Sequence, residues 1–584
     1  MKKWLAVLLV LAAVSFWGCG STERYDVIVI GGDPEGVSAA VTAARNGMKT
    51  LLVEDDEALG GLMTLGGLNF IDMCNGRDGT LLTRGTFEEF YNAVGGTAFD
   101  IPTAKDVFLQ MVNGEENLTL KLNTSFVEPV MKEHTITGVV LEQDGKQITC
   151  KADSIIDATV DADVAAAAGA RYTYLGEDYG HVEHVTGVTL VFELSGVDWQ
   201  AVSQYLNGDD NPNTGATAKA AWGYNEESFA YMPQDGQTRL RGLNLALQDN
   251  GNVLVNGFII FGVDPLSADS KADGIARGKA ELEHIVPYLQ QNFNGFADAQ
   301  LAGTAEQLYV RESRHMIGEY QLTLDDVLEN TWFDDTIAIG SYPVDVPPNA
   351  ERRVGYIIGN PDRYGVPFRC LVPQEIDGIL VVGRSASYTS LAAGSARVIP
   401  LGMAEGDAAG VAAAYAKHHH VTFRQISQDT DAVAAIQQTL KEQGAYLEQW
   451  QPVQEAVEQH WAYEGVKTLR SLGVVYGGYS NDYRLEEAIT GEDFLAMLSV
   501  LGDTLVLSPD FSEDMEQPLT CSEILYMIEN TLQIAQFGNL QEAGILTEQL
   551  QPYFADGGNV PARAEVMMLV ANAYDYQQRT NKQE

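Results

Sequence analysis

The chain has 584 residues, of which 45% are hydrophobic and 9% aromatic, so it can bury a large core, which argues against global disorder. Its length predicts roughly three to four folding units. The 81 acidic residues outnumber the 36 lysines and arginines, and the resulting net charge of −45 repels nucleic acid and argues against a nucleic-acid partner.

The first predicted element is a targeting segment. Two lysines open the chain after Met1, residues 4–17 are almost entirely apolar, and Gly18 precedes Cys19. This pattern resembles a bacterial lipoprotein signal over residues 1–20, in which Cys19 is lipidated and anchors the protein to the membrane. A plain signal peptide cut nearby and an uncleaved anchor stay open as alternatives. All three interpretations place the protein outside the cytoplasm.

A dinucleotide-binding unit is predicted next. Residues 25–30 form a β-branched run typical of a buried parallel strand, and a glycine turn and a helix of small residues follow, up to Gly47. A second strand then ends at Glu54. In such a unit the helix N-terminus meets the pyrophosphate, and the acid accepts a hydrogen bond from a ribose hydroxyl. The turn residues assigned to the cofactor are Gly31, Gly32 and Gly36.

The turn departs from the G-x-G-x-x-G pattern at Asp33, where a carboxylate repels a pyrophosphate. Asp followed by Pro is a favourable pair for the start of a helix. We therefore expect Asp33 to cap the helix and to turn away from the phosphates. The alternative is a glycine-rich packing turn in a ligand-free α/β fold.

Three later segments are predicted to complete the cofactor site. Paired glycines in residues 59–67 bare the backbone for a planar cofactor, with a flexible surface loop as the alternative. Residues 154–163 form a strand and an acidic turn, in which Val160 replaces the glycine of the Ala-Thr-Gly-Asp form found in flavoproteins. Residues 380–414 combine a strand that ends in Gly-Arg with a small-residue helix, whose N-terminus can approach a ligand or whose residues simply pack. The cofactor residues assigned in these segments are Gly60, Gly61, Thr64, Ala158, Thr159, Asp161, Gly383, Arg384, Arg397, Gly406 and Ala409.

Two further motifs carry a resemblance to a known family. They are Val-Arg-Glu-Ser-Arg-His-Met-Ile-Gly-Glu-Tyr at 310–320 and Val-Pro-Phe-Arg-Cys-Leu at 366–371, followed by the Gly-Arg segment. With them, residues 24–447 resemble the bacterial FAD-dependent oxidoreductases sometimes named by homology with xanthan lyase, and more distantly the flavin subunit of heterodisulfide reductase. The resemblance implies an α/β fold with bound FAD. The implied parts are a Rossmann-like FAD-binding domain of residues 24–171 and 346–447 and an inserted α+β covering domain of residues 172–345.

Arg311, Arg314 and His315 are the predicted catalytic residues. They lie just before the chain returns to the FAD-binding domain, so we expect them at the cleft between the domains. Arg311 and Arg314 would share one face of a helix and hold an anionic substrate or stabilise the negative charge of reduced flavin. His315 could move a proton. Structural pairing at a domain interface is the alternative for all three. Scattered cysteines without a Cys-x-x-Cys pair and a solvated run of histidines at 418–420 lead us to predict no metal site.

The last part of the chain, residues 450–584, is predicted to be small and mostly helical. The pattern from His460 to Phe494 resembles an S-layer homology repeat, and a degenerate second copy is predicted near residues 543–565. Such repeats bind cell-wall polymer in many envelope proteins, and only Arg563 matches the arginine expected in the binding motif. Wall binding and a purely structural role both stay open.

Together these features predict an exported FAD-dependent oxidoreductase that transfers hydride or electrons between bound FAD and an unidentified small-molecule substrate. The alternative is a flavin-binding protein of the cell envelope with an attachment or scaffolding role and little turnover. Substrate-dependent bleaching of the flavin separates the two. The cysteine spacing argues against iron–sulfur centres within this chain, although a partner protein could hold them.

Overall fold

A computed structural model describes residues 23–181, 185–452, 454–502, 506–509, 511–512, 514–534 and 539–582. The predicted signal and its lipidation residue Cys19 lie outside these residues. The described chain forms an α/β domain, an α+β covering domain and a helical C-terminal region, and each part has its own hydrophobic core. Among the described helices, none combines the length and the apolar character needed to cross a bilayer.

The first domain is built on a five-stranded parallel sheet. Its strands, from one edge to the other, are Ile379–Val381, Ser154–Asp157, Val27–Ile30, Thr50–Val53 and Leu118–Lys121. We name three of them in chain order as β1 (Val27–Ile30), β2 (Thr50–Val53) and β3 (Ser154–Asp157). Every residue of these three strands is buried, as expected for a parallel sheet that is covered on both faces.

Helices cover one face of this sheet and a mostly antiparallel sheet covers the other. Val27 and Val29 point to the helices, whereas Ile28 and Ile30 point to the second sheet. The second sheet has the strands Glu23–Arg24, Lys146–Lys151, Thr135–Gln143 and Ser125–Lys132 in spatial order. Helix α1 (Pro34–Arg45) follows β1. The other helices of this domain, apart from the longest one, are Gly61–Thr64, Thr86–Val94, Ile101–Asn113, Asp163–Ala167, Leu324–Leu328, Ser390–Ala396, Phe423–Ser427 and Thr430–Glu442.

The covering domain is a mostly antiparallel sheet with helices on one face. Its two long strands are β4 (Thr238–Leu247) and β5 (Val253–Ile260), and helix α2 (Ala268–Asn292) packs on the apolar face with Leu240 and Phe258. The remaining strands are Val188–Thr189, Phe192–Ser195, Gly215–Ala216, Ala220–Gly223 and Gln300–Thr304, and the shorter helices are Trp199–Gly208 and Asn225–Phe229. The opposite face of β4 and β5 is polar and is turned towards the first domain.

The core of the covering domain is narrower in sequence than the predicted segment 172–345. It extends from Val188 to Leu308, whereas residues 322–344 contribute Leu322, Val327 and other side chains to the core of the first domain. Between them, strand Arg314–Met316 pairs with Tyr172–Tyr174 at the junction of the two domains. Two further short pairings join Thr336–Gly340 to Tyr364–Pro367 and Asp345–Val346 to Tyr356–Ile357.

The longest helix of the first domain, α3 (Ile399–His419), lies along α1. Small residues allow this close approach: a Cβ added at Gly406 would lie 2.9 Å from Ser38 Cβ and 3.0 Å from the backbone nitrogen of Ala39. Ala409 is also fully buried in this core. Both residues, which the sequence assigned to the cofactor, therefore serve the packing of α3 against α1.

The C-terminal region contains the helices Tyr463–Ser471, Gly491–Leu498, Cys521–Thr531 and Arg563–Asn581. Thr490 and Thr520 each cap the helix that follows with a side-chain hydrogen bond, whereas Ala562, before the last helix, makes no side-chain cap. Short β-bridges join Thr490 to Pro518 and Ala562 to Ala488. The structure thus has two threonine-capped helix starts, and the one at Thr520 lies outside both repeats that the sequence predicted. Arg470 docks the region onto the first domain through an ion pair of 2.8 Å with Asp325.

Candidate functional site

The first of two adjoining cavities lies at the carboxyl ends of the parallel strands and has a volume of about 780 Å³. Gly31 follows β1, Glu54 follows β2, and Thr159 and Asp161 follow β3, and all four line the cavity. Ligands of open α/β sheets bind at this edge, in the crevice outside the carboxyl ends of the strands. The volume is within the range of sites that enclose a cofactor or a drug-sized ligand.

Two glycines are required where α1 starts. Gly31 has a φ of +102°, and a Cβ there would lie 2.6 Å from the carbonyl carbon of Ala158. A Cβ on Gly36 would overlap the carbonyl oxygen of Gly31 and lie 3.0 Å from Ala158 Cβ. Gly36 and Ala158 do not line the cavity; they hold α1 against the ends of β1 and β3 and so fix the backbone that does.

Asp33 occupies the N-cap position of α1, as predicted, but its side chain makes no capping hydrogen bond. It lies instead against Gly61, where a Cβ would fall 2.5 Å from the carboxyl carbon, and it accepts a hydrogen bond from the backbone N–H of Leu62. The glycine pair makes room for this carboxylate, since Gly60 and Gly61 both have positive φ values. The side-chain cap expected from the sequence is therefore wrong, because the carboxylate finds a donor on the neighbouring loop.

The turn after β1 gathers three carboxyl groups in a cavity predicted to hold an anion. Burial raises the pKa of Asp33, of Glu35 and of Glu54, and mutual repulsion between Asp33 and its acidic neighbours raises it further. Glu35 Oε2 is buried without a hydrogen-bond partner in the part of the chain that the structure describes. Protonation of these groups lowers the negative charge that faces a pyrophosphate.

Glu54 is held by backbone donors at the edge of the cavity. Its Oε1 accepts from the N–H of Asp56 at 2.9 Å, and its Oε2 accepts from the N–H of Gly32. A carboxylate has about four acceptor positions, so two are left for ribose hydroxyls. Gly32 thus contributes through its backbone and does not itself line the cavity.

The turn after β3 is tied to the returning Gly-Arg segment. Arg384 lines the cavity and donates to Asp161 Oδ1 at 2.6 Å and to Ser313 Oγ at 3.0 Å. The hydroxyl of Thr159 donates to Asp157 Oδ1 at 2.6 Å. This network brings together three of the residues that the sequence assigned to the cofactor, Thr159, Asp161 and Arg384.

Two other residues assigned to the cofactor, Thr64 and Gly383, do not line the first cavity and make hydrogen bonds within the first domain. Thr64 is buried and donates to the carbonyl of Leu59 at 2.7 Å, so its hydroxyl is not directed at a phosphate. Gly383 donates its N–H to Glu405 at 2.9 Å inside the first domain. By contrast, Arg397 and the first turn of α3, through Val398, line the cavity, as the predicted approach of a helix N-terminus requires.

The motif with Arg311, Arg314 and His315 is extended and not helical, because Arg314–Met316 is a strand. The prediction of a shared helical face is therefore wrong. Arg311 is 5% exposed, lines both cavities and lies over the ring of Tyr309 at 4.0 Å. Burial lowers the pKa of Arg311 to about 10, which still leaves it charged at neutral pH.

The other two predicted catalytic residues lie in structural contacts. Arg314 forms an ion pair with Asp163 at 2.7 Å and donates to the carbonyl of Asp161 at 2.7 Å. His315 is 1% exposed, and its Nε2 lies 3.1 Å from Glu312 Oε1. Neither Arg314 nor His315 lines either cavity.

The second cavity, of about 620 Å³, lies under the polar face of β4 and β5. Arg239, Arg241 and Arg353 line it, and Tyr479 of the C-terminal region lies at its rim. The sequence analysis missed these residues. The alternation Thr-Arg-Leu-Arg at the start of β4 was the available signal, because it predicts two arginines on one face of a strand.

Five residues line both cavities and form what we call the shared wall. They are Leu68, Phe70, Asp72, Tyr309 and Arg311. Burial raises the pKa of Asp72, while a hydrogen bond with Tyr342 opposes that shift. Among the described residues, no cluster of His, Cys, Asp and Glu side chains is placed to hold a metal ion.

The chain was compared with curated proteins and with solved structures. No curated protein matches the sequence. Similar solved structures include a geranylgeranyl bacteriochlorophyll reductase-like protein from Thermoplasma acidophilum, with 13% identity, a TM-score of 0.36 and coverage of 73% of this chain and 85% of that one. A myxobacterial chondrochloren halogenase has 13% identity, a TM-score of 0.34 and coverage of 95% and 97%. The p-nitrophenol 4-monooxygenase of Pseudomonas putida DLL-E4 has 9% identity, a TM-score of 0.34 and coverage of 74% and 91%.

The sequence pattern described as FAD dependent oxidoreductase matches residues 26–440. This range holds both cavities apart from Tyr479, and it stops before the C-terminal region. The predicted cofactor, FAD, and the predicted class of enzyme are thereby confirmed. The chain belongs to the FAD-dependent oxidoreductase family.

Proposed function

We propose that this protein is an exported oxidoreductase that transfers hydride or electrons between FAD in the first cavity and a small molecule in the second. FAD supplies the redox chemistry when it is bound. The observation that carries the proposal is the shared wall, because the five residues that line both cavities place a molecule in the second cavity directly beside the first.

The residues of the first cavity fit a long dinucleotide. Residues 306–311 run along it from Asp56, to which Gln307 donates at 2.5 Å, to Arg397, which donates to the hydroxyl of Tyr309 at 3.2 Å. Glu54 stands at the Asp56 end, where it would accept hydrogen bonds from the adenosine ribose. The opposite end carries the positive charges of Arg311 and Arg397. It also holds the start of α3, and the dipole of this helix favours negative charge there.

Asp72 is the group in the shared wall that we propose to hold or release a proton during the reaction. It is the wall's only carboxyl group, and its raised pKa brings it nearer to neutral pH, where proton transfer is most efficient. Arg311 in the same wall would attract an anionic group but cannot exchange its proton.

The experiment is anaerobic mixing of the FAD-loaded protein with a panel of metabolites, with loss of the visible flavin absorbance as the readout. Asp72→Asn should slow bleaching by about 100-fold, the lower range for general acid–base catalysis, while FAD stays bound. Asp106→Asn, on the exposed face of helix Ile101–Asn113 and outside the lining of both cavities, is the matched control and should change nothing. A panel that never bleaches the flavin would favour the scaffolding alternative.

We also propose that a lipid on Cys19 holds the protein at the outer face of the membrane. The support is the sequence pattern alone: a basic start, the apolar stretch 4–17, and Gly18 before the cysteine. Labelling cells with a fatty-acid analogue should mark the wild type and not Cys19→Ala, which should leave the membrane fraction. An unlabelled wild-type protein would point to a plain signal peptide.

Attachment to cell-wall polymer is a second candidate function, for the C-terminal region. The sequence resemblance to an S-layer repeat and the two threonine-capped helix starts, at Thr490 and Thr520, support this proposal. However, Arg563 is 3% exposed, donates to the carbonyl of Tyr483 at 3.1 Å and pairs with Asp493, so its guanidinium is engaged inside the region. Any polymer would have to use other side chains. Cosedimentation with purified cell walls tests the attachment, and protein that stays in the supernatant excludes it.

A further inference from the structure

The second cavity is basic although the chain as a whole is strongly acidic. Four arginines line it, and only Asp72 and Asp345 oppose them. Asp345 is already paired with Arg397 at 3.1 Å, an arginine that lines the first cavity and not the second. The cavity therefore holds an excess of positive charge inside a protein whose net charge is −45.

Two of these arginines, Arg239 and Arg241, make no ion pair with a described residue, and the one carboxylate that acts on Arg241 across the cavity is Asp72 of the shared wall. The guanidinium of Arg239 lies over the ring of Phe229 at 5.0 Å, and neither Arg239 nor Arg241 makes an ion pair or a hydrogen bond with any residue that the structure describes. Both side chains are half-buried. Partial burial of a guanidinium without a direct ion pair costs free energy, since the group cannot give up its proton. An anion in the cavity would remove that cost.

The geometry of β4 explains why Arg239 and Arg241 lie on the same face of the sheet. Successive side chains of a strand point to opposite faces, so Arg239 and Arg241 share a face while Leu240 enters the core. Further along the same polar face, Asn244 pairs in register with Asn256 of β5. Asn256 Oδ1 is buried without a hydrogen-bond partner among the described residues, so the cavity also offers an acceptor for a hydroxyl or amine.

Arg353 adds positive charge to the second cavity, and one of its terminal nitrogens is held by two backbone carbonyls. It donates to the carbonyls of Gly236 at 2.6 Å and Thr238 at 3.1 Å, and it lies over the ring of Phe261 at 4.9 Å. These contacts fix its guanidinium near Arg239, whose pKa is lowered by burial and by this neighbouring charge. A fixed second cation next to Arg239 raises the gain from binding an anion there.

We propose that the substrate of this enzyme is an anionic small molecule, whose carboxylate or other oxyanion is held by Arg239 and Arg241 and whose other end reaches the shared wall at Phe70 and Tyr309. The planar fork of a guanidinium matches the two oxygens of such a group. The proposal rests on the proposed redox function, because it names the class of molecule that occupies the second cavity.

The test compares matched pairs of probes that differ in charge: D-glucuronate with D-glucose, and benzoate with benzamide. Binding to the FAD-loaded full chain is measured by calorimetry and by perturbation of the flavin spectrum, without any turnover. At least one anion should bind tenfold or more tightly than its neutral twin, as expected for charge-assisted hydrogen bonds. Added salt should reduce the preference.

Arg239→Gln and Arg241→Gln should each reduce the preference for the anion by about tenfold or more, and Arg241→Lys should restore part of it. Arg171→Gln is the matched control, since Arg171 is exposed, pairs with Glu375 and lines neither cavity. Retained FAD and an unchanged melting temperature show that each variant is folded. A preference that survives in both glutamine variants overturns the proposal.

The outcomes separate this proposal from the redox function. If each anion and its neutral twin bind equally, or if neither anion binds at millimolar concentration, the anionic substrate class is refuted. Flavin bleaching by a neutral metabolite, together with equal binding in both pairs, would leave the redox function standing and remove only the substrate class. An anion preference that depends on Arg239 and Arg241, without bleaching by any metabolite, would support the anion site and leave the redox function without support.

Discussion

Replacement of Gly36 by alanine tests whether the close packing of α1 forms the FAD site. The added Cβ would overlap the carbonyl oxygen of Gly31 and lie 3.0 Å from Ala158 Cβ, and no flexible side chain is available to yield. The first turn of α1 must therefore withdraw by about 1 Å, at a cost of about 3 kcal/mol, the upper range for an overpacked core. Since the same turn presents the backbone to the pyrophosphate, FAD binding should weaken by roughly 100-fold.

Fluorescence titration of the apoprotein with FAD and thermal melting measure the two effects. Gly208→Ala is the control, because a Cβ at the end of helix Trp199–Gly208 meets no atom within 4 Å and the helix lies in the covering domain. This control should keep both the affinity and the melting temperature of the wild type. A Gly36→Ala protein that binds FAD within about threefold of the wild type would refute the reasoning, because the helix would then have room that the structure denies it.

Three other predictions follow from the site. Glu54→Ala should weaken FAD retention during dialysis by about 1–3 kcal/mol, and unchanged retention with an intact fold would place the ribose contact on another acid. Arg311→Met should slow substrate-driven flavin reduction, whereas Arg314→Met should chiefly lower the melting temperature; the reverse assignment would contradict the placement of the two side chains. Burial raises the pKa of Glu35 from 4.5 to about 7, so its contribution to stability is present at low pH and is lost as pH rises through about 7. The melting temperature of the apoprotein should therefore fall between about pH 4.5 and pH 7, and Glu35→Gln should flatten that fall; an equally steep fall in the variant would contradict it.

The cofactor unit could be predicted from the sequence because its signals are local. The strand predicted over residues 25–30 is β1 (Val27–Ile30), the glycine turn and the helix of small residues follow as expected, and Glu54 comes directly after β2. Each of these features depends on neighbours within about 30 residues, through the period of the strand and the close packing of a helix. The position of Asp33 at the N-cap was predictable for the same reason, but its acceptance of a bond from Leu62 was not.

The catalytic segment could not be predicted in the same way. The spacing of Arg311 and Arg314 fits a helix, but pairing of Arg314–Met316 with Tyr172–Tyr174, more than a hundred residues earlier, makes the segment extended. Such long-range pairing overrides local propensity, and a change from helix to strand changes which side chains share a face. The helix start at Thr520 was missed although Thr520 and Glu523 form a capping box, a local signal that the sequence does carry.

Burial has different effects on the acidic groups of the first cavity and on the arginines of the shared wall and the second cavity. At the turn after β1, burial raises the pKa values of Glu35 and Glu54, so these carboxyl groups can shed their charge by taking up protons. Burial lowers the pKa of Arg311 only to about 10, and guanidinium groups accordingly stay charged at neutral pH. Negative charge is therefore adjustable where the pyrophosphate is expected, while positive charge is permanent at the shared wall and under β4. Because the surface field of the whole chain repels anions, the arginines would act on an anionic substrate only at short range, so they would determine how tightly it is held more than how fast it arrives.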